Sequence, residues 1–202
     1  MSSADLAAAL VRLDEITRRL RVECPWDREQ DERSIVPHTV EEAYELADAA
    51  QSGDDAKLLD ELGDVLFQVY FLSLLLEERG AGSLAAVADA VREKLIRRHP
   101  HVFGDRAAET AGEVVRNWDE IKREQEGEGE VFGSIPETLP STLYAKKVLR
   151  RARSAGFRWN AEDEDPGTAL LAAVGQAMEA GLDPELALRQ AADRFRAEVE
   201  AG

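Results

Sequence analysis

Two short acidic runs hold the residues best suited to chemistry: Glu41-Glu42-Ala43-Tyr44-Glu45 and Glu61-Leu62-Gly63-Asp64. The spacing in each is helical. Glu42 and Glu45 stand at i, i+3, Glu41 and Glu45 at i, i+4, and Glu61 and Asp64 at i, i+3, so the carboxylates of each run share a helix face. Two such faces packed together surround one point with carboxylates, which repel one another unless a cation fills the space. Hard oxygen donors of this kind suit Mg²⁺, with Mn²⁺ as a substitute. Each residue also has an ordinary role open to it. Thr39-Val40-Glu41-Glu42 fits a capping box with Glu42 at its third helical position, acidic residues suit a first turn, and Glu and Asp commonly form a solvated face. The surroundings favour a site. Glu42 and Glu45 fall beside Leu46 and Ala49 on the helical wheel, and Glu61 and Asp64 border the stripe Leu58, Leu62, Val65, Val69. Carboxylates at a core margin need a partner, because an unpaired buried charge is costly.

The elements that must position these residues are all helices; no stretch alternates like a strand. The pattern predicts helices over about 4–22, from about 39 to 52, over 55–79, 83–98 and 111–126, and over 141–155, with two short helices after that. Leu6, Leu10, Leu13, Ile16 and Leu20 form the stripe of the first, and Cys24-Pro25-Trp26-Asp27-Arg28-Glu29-Gln30 reads as a loop after it. Gly80 is a natural cap for the third, and Pro100 halts the fourth. Three segments follow: a domain at 1–126 that holds both acidic runs, an acidic, glycine-broken linker at 127–135, and a helical segment at 136–202. Leu143 to Trp159 echoes Leu13 to Trp26 as a helix running into a tryptophan loop, but the acidic runs have no second copy.

The chain has 202 residues, 44% hydrophobic and 33% charged, which reads as globular. A net charge of −16 excludes a general binder of nucleic acid backbone, which needs a basic face. The start, Met1-Ser2-Ser3-Ala4-Asp5, is acidic and amphipathic and does not read as a signal peptide. The longest apolar run, Val65 to Leu76, is interrupted by Gln68 and Ser73. It falls short of the ~20 residues that span a bilayer. The single cysteine, Cys24, fits a reducing compartment, which points to the cytoplasm. It has no histidine beside it and reads as a small buried residue. A polyphosphate substrate would need local cations, and Lys94, Arg97 and Arg98 stand at i, i+3, i+4 near a helix end. They suit phosphate and equally suit the helix dipole. Trp26 can stack on a base. Trp118 lies on the stripe Val114, Trp118, Ile121, which fits core packing as well as base contact, and Lys122 follows one turn on. His38, His99 and His101 do not make a metal triad, and the last two structure the turn at Pro100.

Read in order, Cys24-Pro25-Trp26-Asp27 with Gln30, Glu41-Glu42-x-x-Glu45, Glu61-Leu62-Gly63-Asp64-Val65-Leu66-Phe67-Gln68, Lys94-x-x-Arg97-Arg98-His99-Pro100-His101-Val102-Phe103 and Trp118-x-x-Ile121-Lys122 resemble the MazG family of nucleoside triphosphate pyrophosphohydrolases. The resemblance covers roughly residues 10–125. It implies an all-α fold of the NTP pyrophosphatase type, in which protomers pair through helical bundles as a homodimer or higher homo-oligomer. It implies Mg²⁺-dependent hydrolysis of NTPs or dNTPs between the α- and β-phosphates, a house-cleaning role in the nucleotide pool. By motif matching, Glu42, Glu45, Glu61 and Asp64 fall on the family's metal ligands. Glu41 sits beside them to orient or deprotonate the attacking water. Lys94, Arg97, Arg98, Trp26, Trp118, Lys122 and His38 fall to the nucleotide. Lys146, Gly156, Phe157 and Trp159 resemble the family's second repeat, here degenerate, so the reaction rests on the first. The competing reading is a non-catalytic nucleotide-binding or regulatory protein on the same scaffold. An all-α dUTP or phosphoribosyl-ATP hydrolase shares the acidic motif but not the Cys-Pro-Trp-Asp block.

Overall fold

The structure is a computed structural model that describes residues 2–126, 131–157 and 165–201, with side chains left aside at 116, 119 and 122–126. Every regular element among the described residues is a helix: α1 Ser3–Glu23, α2 Pro25–Glu29, α3 Glu32–Ser52, α4 Asp55–Glu78, α5 Leu84–Arg98, α6 Pro100–Phe103, α7 Ala111–Glu126, α8 Ser141–Ser154, α9 Pro166–Glu179 and α10 Pro184–Ala201. The all-α expectation stands. The chain divides into two compact units, residues 1–95 and 96–202. The expected linker falls partly, at 127–130, outside the described residues, as does Trp159.

The first unit is built on α3 and α4, joined by a tight turn. Gly53 closes α3 in the left-handed region (φ 71°), and Asp54 caps α4 by accepting from the Ala56 and Lys57 N–H groups at 2.9 and 3.3 Å. The core between them is Ile35, Phe71 and Leu75, with Phe67 and Leu72 against it. Phe71 is 1% exposed. One turn nearer the acidic runs, the Thr39 hydroxyl lies 3.3 Å from buried Gln68 Oε1 and 3.3 Å from the Ile35 carbonyl. These pairings run antiparallel: Ile35 with Phe71, then Thr39 with Gln68. Continuing the register sets Glu42 against Asp64 and Glu45 against Glu61. Helix α1 runs parallel to α4. The Tyr70 hydroxyl donates to the Leu10 carbonyl at 3.3 Å, Arg18 forks onto Glu77 at 3.1 and 2.7 Å, and Arg21 forks onto Glu78 at 2.8 and 2.9 Å.

Three expectations are corrected. Helix α3 begins at Glu32 rather than Thr39, and its capping box is Asp31 with Ser34, not Thr39 with Glu42. The Ser34 N–H donates to Asp31 Oδ1 at 2.8 Å and the Asp31 N–H to Ser34 Oγ at 2.9 Å. Pro37 therefore lies inside the helix. Its cost of ~3 kcal/mol is offset by the reciprocal cap, ~1–2 kcal/mol, and by burial of Ile35, ~2–3 kcal/mol. The segment after Cys24 is a short helix, α2, opened by Pro25 at its first position, rather than a loop. The apolar stripes also face differently. On α4 the buried side is Gln68, Tyr70, Phe71, Ser73, Leu74 and Leu75, while Leu62 and Val69 of the expected stripe stay 49% and 39% exposed. On α1 the buried residue is Thr17, and Leu6, Ile16 and Leu20 are exposed. Gly80 does end α4 as expected, in the left-handed region (φ 67°), where the Ala81 N–H reaches back to the Leu76 carbonyl at 2.9 Å.

In the second unit α8, α9 and α10 pack together around Leu149 through opposite charges. Lys146 Nζ meets Asp183 at 2.5 Å, Arg153 meets Glu179 at 2.6 Å, and Thr142 donates to Glu185. Gly156 and Phe157 follow α8, with Gly156 at φ 83°.

Phe71 gives a direct stability test. Phe71→Ala empties the centre of the α3–α4 core and is expected to lower unfolding free energy by ~3–5 kcal/mol, read by urea denaturation followed by far-ultraviolet circular dichroism.

Candidate metal centre

Two helices supply the acidic cluster: Glu41, Glu42 and Glu45 from α3, Glu61 and Asp64 from α4. One carboxylate oxygen each from Glu42, Glu45 and Glu61 lies within 4.8 Å of the others. Glu42 and Glu61 are half-buried, Glu45 and Asp64 exposed. Burial pushes the Glu42 carboxyl above the ordinary range, and the charges of Asp64, Glu45, Glu61 and Glu41 push it the same way. Glu61 is raised by burial, then by Glu45, Asp64 and Asp60. Every charged group acting on either is another carboxylate. Glu61 Oε2 is moreover buried with no hydrogen-bond partner. An orphaned carboxylate oxygen inside a ring of like charges is a poor solvated face and a good cation ligand. The residues therefore fit a Mg²⁺ or Mn²⁺ ion, with Glu42, Glu45 and Glu61 converging and Asp64 adjoining them in charge.

The other residues expected at the site fall into two groups, one in each unit. In the first unit Glu41 is exposed, with His38 Nδ1 at 3.9 Å from its Oε2. The Trp26 ring meets His38 edge-on at 5.8 Å and is itself 51% exposed. Cys24, expected to be buried, is half-buried at the N-cap of α2. Lys94 is exposed on α5. In the second unit Arg97 is exposed, while Arg98 is half-buried with its guanidinium 5.2 Å above the Trp118 ring. His99 meets the same ring edge-on at 5.0 Å and stacks obliquely on His101 at 5.5 Å. Arg98 Nε and His101 Nδ1 are buried with no hydrogen-bond partner. The His99 carbonyl caps α6, accepting from Val102 and Phe103 at 2.9 and 3.0 Å. The Lys122 side chain lies outside the described residues.

Sequence reading missed the tying roles of Thr39, Gln68 and Arg21. A signal existed for two of them. Gln68 breaks an apolar run one turn after Asp64, and Thr39 stands three residues before Glu42.

An all-α scaffold thus presents an oxygen-only acidic cluster from two facing helices, a donor set suited to a divalent cation. Residues 30–103 match the family model described as "MazG nucleotide pyrophosphohydrolase domain". That span holds all five acidic residues, His38, Lys94, Arg97 and Arg98. The nucleoside triphosphate pyrophosphohydrolase of Escherichia coli (strain K12) is 35% identical over 218 residues, covering 91% of this chain and 83% of that one. A 26.1 kDa protein of Streptomyces cacaoi is 39% identical over 206 residues, covering 98% and 85%. The nucleoside triphosphate pyrophosphohydrolase/pyrophosphatase MazG of Thermotoga maritima is 34% identical over 197 residues, covering 85% and 76%. The chain belongs to the MazG family.

The raised carboxyls set a pH dependence. A group whose folded-state pKa is raised favours folding while protonated, and that contribution is lost as pH rises through its folded value. Metal-free protein should therefore lose stability as pH climbs out of the ordinary carboxylate range, and less so in Glu42→Gln. Mg²⁺ at about a hundred times its Kd should restore roughly 5–10 °C of melting temperature near pH ~7.5, and clearly less near pH ~5, by scanning calorimetry.

Proposed function

We propose that this chain is a Mg²⁺-dependent hydrolase of nucleoside triphosphates, ribo or deoxyribo, cleaving between the α- and β-phosphates to leave a monophosphate and pyrophosphate. The observation that carries this reading is the meeting of Glu42, Glu45 and Glu61 within 4.8 Å in a chain of the MazG family. Such an enzyme clears unwanted nucleotides in the cytoplasm. The reading assigns the reaction to residues 1–126 and treats 136–202 as a degenerate repeat.

Glu42, Glu45, Glu61 and Asp64 are the metal-holding set. These four would hold Mg²⁺, whose charge would neutralise phosphoryl oxygens and favour deprotonation of a water. A water oxygen would attack the α-phosphorus, the bond from the α-phosphorus to the α,β-bridging oxygen would break, and pyrophosphate would leave carrying that oxygen and the electron pair, while the water's proton would pass to Glu41. The barrier is mostly one of alignment and charge. Glu41 is the proton acceptor in this scheme, an exposed carboxylate next to Glu42 with His38 3.9 Å away. Trp26 offers an open ring face for a base. Lys94, Arg97, Arg98 and Lys122 are assigned to phosphate charge, with Arg98 already stacked on Trp118 at 5.2 Å.

The reading also includes a homodimer or higher homo-oligomer. Leu59, Leu62, Leu66 and Val69 form one stripe of α4, 74%, 49%, 38% and 39% exposed. An uncovered apolar stripe of this length is an association surface.

Incubation with each of eight NTPs and dNTPs and Mg²⁺, followed by a pyrophosphate assay, tests the activity. Glu42→Gln and Asp64→Asn should each cut release by at least the ~100-fold that damage to a metal site's supporting residues causes, with circular dichroism unchanged. Full activity in either variant would remove it from the site. Nucleotide binding without release by the wild type would favour the non-catalytic alternative. The double variant Leu62→Glu, Leu66→Glu should run as a smaller species than wild type in size-exclusion chromatography with light scattering. An unchanged mass would reject the α4 stripe as the interface.

A further inference from the structure

We propose that Arg21 is a positioning residue for nucleotide binding, clamping α2 so that Trp26 is presented at a fixed place beside His38 and the acidic turn of α3. The inference rests on the reading above, in which Trp26 meets the base.

Arg21 occupies the last turn of α1, and its side chain is only 17% exposed. Its guanidinium ties α1 to two other elements, α2 and α4. Nε and Nη2 fork onto Glu78 of α4 at 2.8 and 2.9 Å. Nη1 donates to the Gln30 carbonyl at 3.0 Å and to the Asp27 carbonyl, both at the C-terminal end of α2. The planar group also lies 5.8 Å over the ring of Phe71, the most buried residue of the α3–α4 core.

Helix α2 needs such a clamp. It has five residues, Pro25–Glu29, far too few to be stable alone. The carbonyls of its last turn have no continuing helix to bond. Arg21 donates to the Gln30 carbonyl and adds to the Gln30 N–H as a partner of the Asp27 carbonyl, and Asp27 is 6% exposed. Trp26 stays 51% exposed on the same short helix, so burial does not fix it. Its position depends instead on α2 as a body, on the Gln30 side-chain amide donating to its carbonyl at 2.8 Å, and on the edge contact with His38. A large apolar ring held open to solvent on a clamped helix is preorganised for a flat ligand, since its ordering cost is met before binding. Lysine cannot replace the clamp. It keeps the charge but lacks the planar fork that serves a carboxylate and two carbonyls together.

A double-mutant cycle separates positioning from mere stabilisation. The probes are the α,β-methylene analogues of ATP, GTP, CTP and UTP with Mg²⁺, and the readout is the Kd of the tightest by calorimetry. Arg21→Lys should weaken binding about tenfold in the wild-type background and less than about twofold when Trp26 is already alanine, because contacts in one network are not additive. The melting temperature should fall by the same amount in both backgrounds. If Arg21→Lys unfolds, Gln30→Ala, which removes only the side-chain bond to the Trp26 carbonyl, should show the same coupling. Equal loss of affinity in both backgrounds, no loss at all, or a wild-type protein that binds none of the four analogues would overturn the proposal. Pyrophosphate release from the matching natural nucleotide is measured alongside. Binding without release sinks the hydrolase reading and leaves the coupling intact, whereas release with additive Kd changes sinks the role of Arg21 alone.

Discussion

The antiparallel register of α3 on α4 is the constraint on which the first unit depends. It is set at one end by Ile35 against Phe71 and Leu75 and pinned by the Thr39–Gln68 contact at 3.3 Å. A slip of one helical turn, 5.4 Å, would leave buried Gln68 without Thr39 and pull Phe71 from Ile35. Both changes cost energy, through an unsatisfied polar group and a lost core contact. The same register sets Glu42 against Asp64 and Glu45 against Glu61. The carboxylates oppose it by mutual repulsion, so apolar packing and one polar tie hold together what the charges would separate. That division of labour explains why the core lies toward one end of the helix pair and the acidic cluster toward the other.

A cluster assembled against its own repulsion is preorganised for a cation. The scaffold meets the cost of bringing the carboxylates together during folding, so a divalent ion gains their attraction without having to gather them. The overall charge of −16 works in the same direction for a cation and against a free polyphosphate. A polyphosphate would therefore approach this chain more easily with its charge already partly neutralised by a cation.

Much of this was legible in the sequence, and the illegible parts share a cause. The acidic runs, the all-helical pattern and the ends of α4 at Asp55 and Gly80 follow from local spacing and capping, and local rules found them. The start of α3 did not, because Pro37 is a local signal against helix. What overrides it is the burial of Ile35 on Phe71, a contact between distant parts of the chain. The buried face of α4 was misread because Val65 to Leu76 is apolar nearly all round, and periodicity cannot choose among faces that are alike. Only the position of α3 and α1 decides that Phe71 and Leu75 turn inward and Leu62 stays exposed. Arg21 was invisible for the same reason. Its partners are at Asp27, Gln30, Phe71 and Glu78, and only the first two are near it in sequence.

The two units also hold carboxylates in two contrasting electrostatic settings. In the second unit Asp183 is partly buried, which pushes its carboxyl up. The Lys146 bond, the Leu186 and Glu185 N–H groups and the Lys146 charge outweigh that, and the net shift is downward. Glu77 and Glu78 in the first unit are likewise held low, first by their hydrogen bonds to Arg18 and Arg21. These acids are already satisfied and act as ties between helices. Glu42 and Glu61 shift the other way, because burial and every neighbouring charge act against ionisation. Perturbation alone marks both kinds, so its size does not identify a site. Its direction separates the two kinds here: the low carboxylates have their cation within the chain, and the raised ones face only other carboxylates.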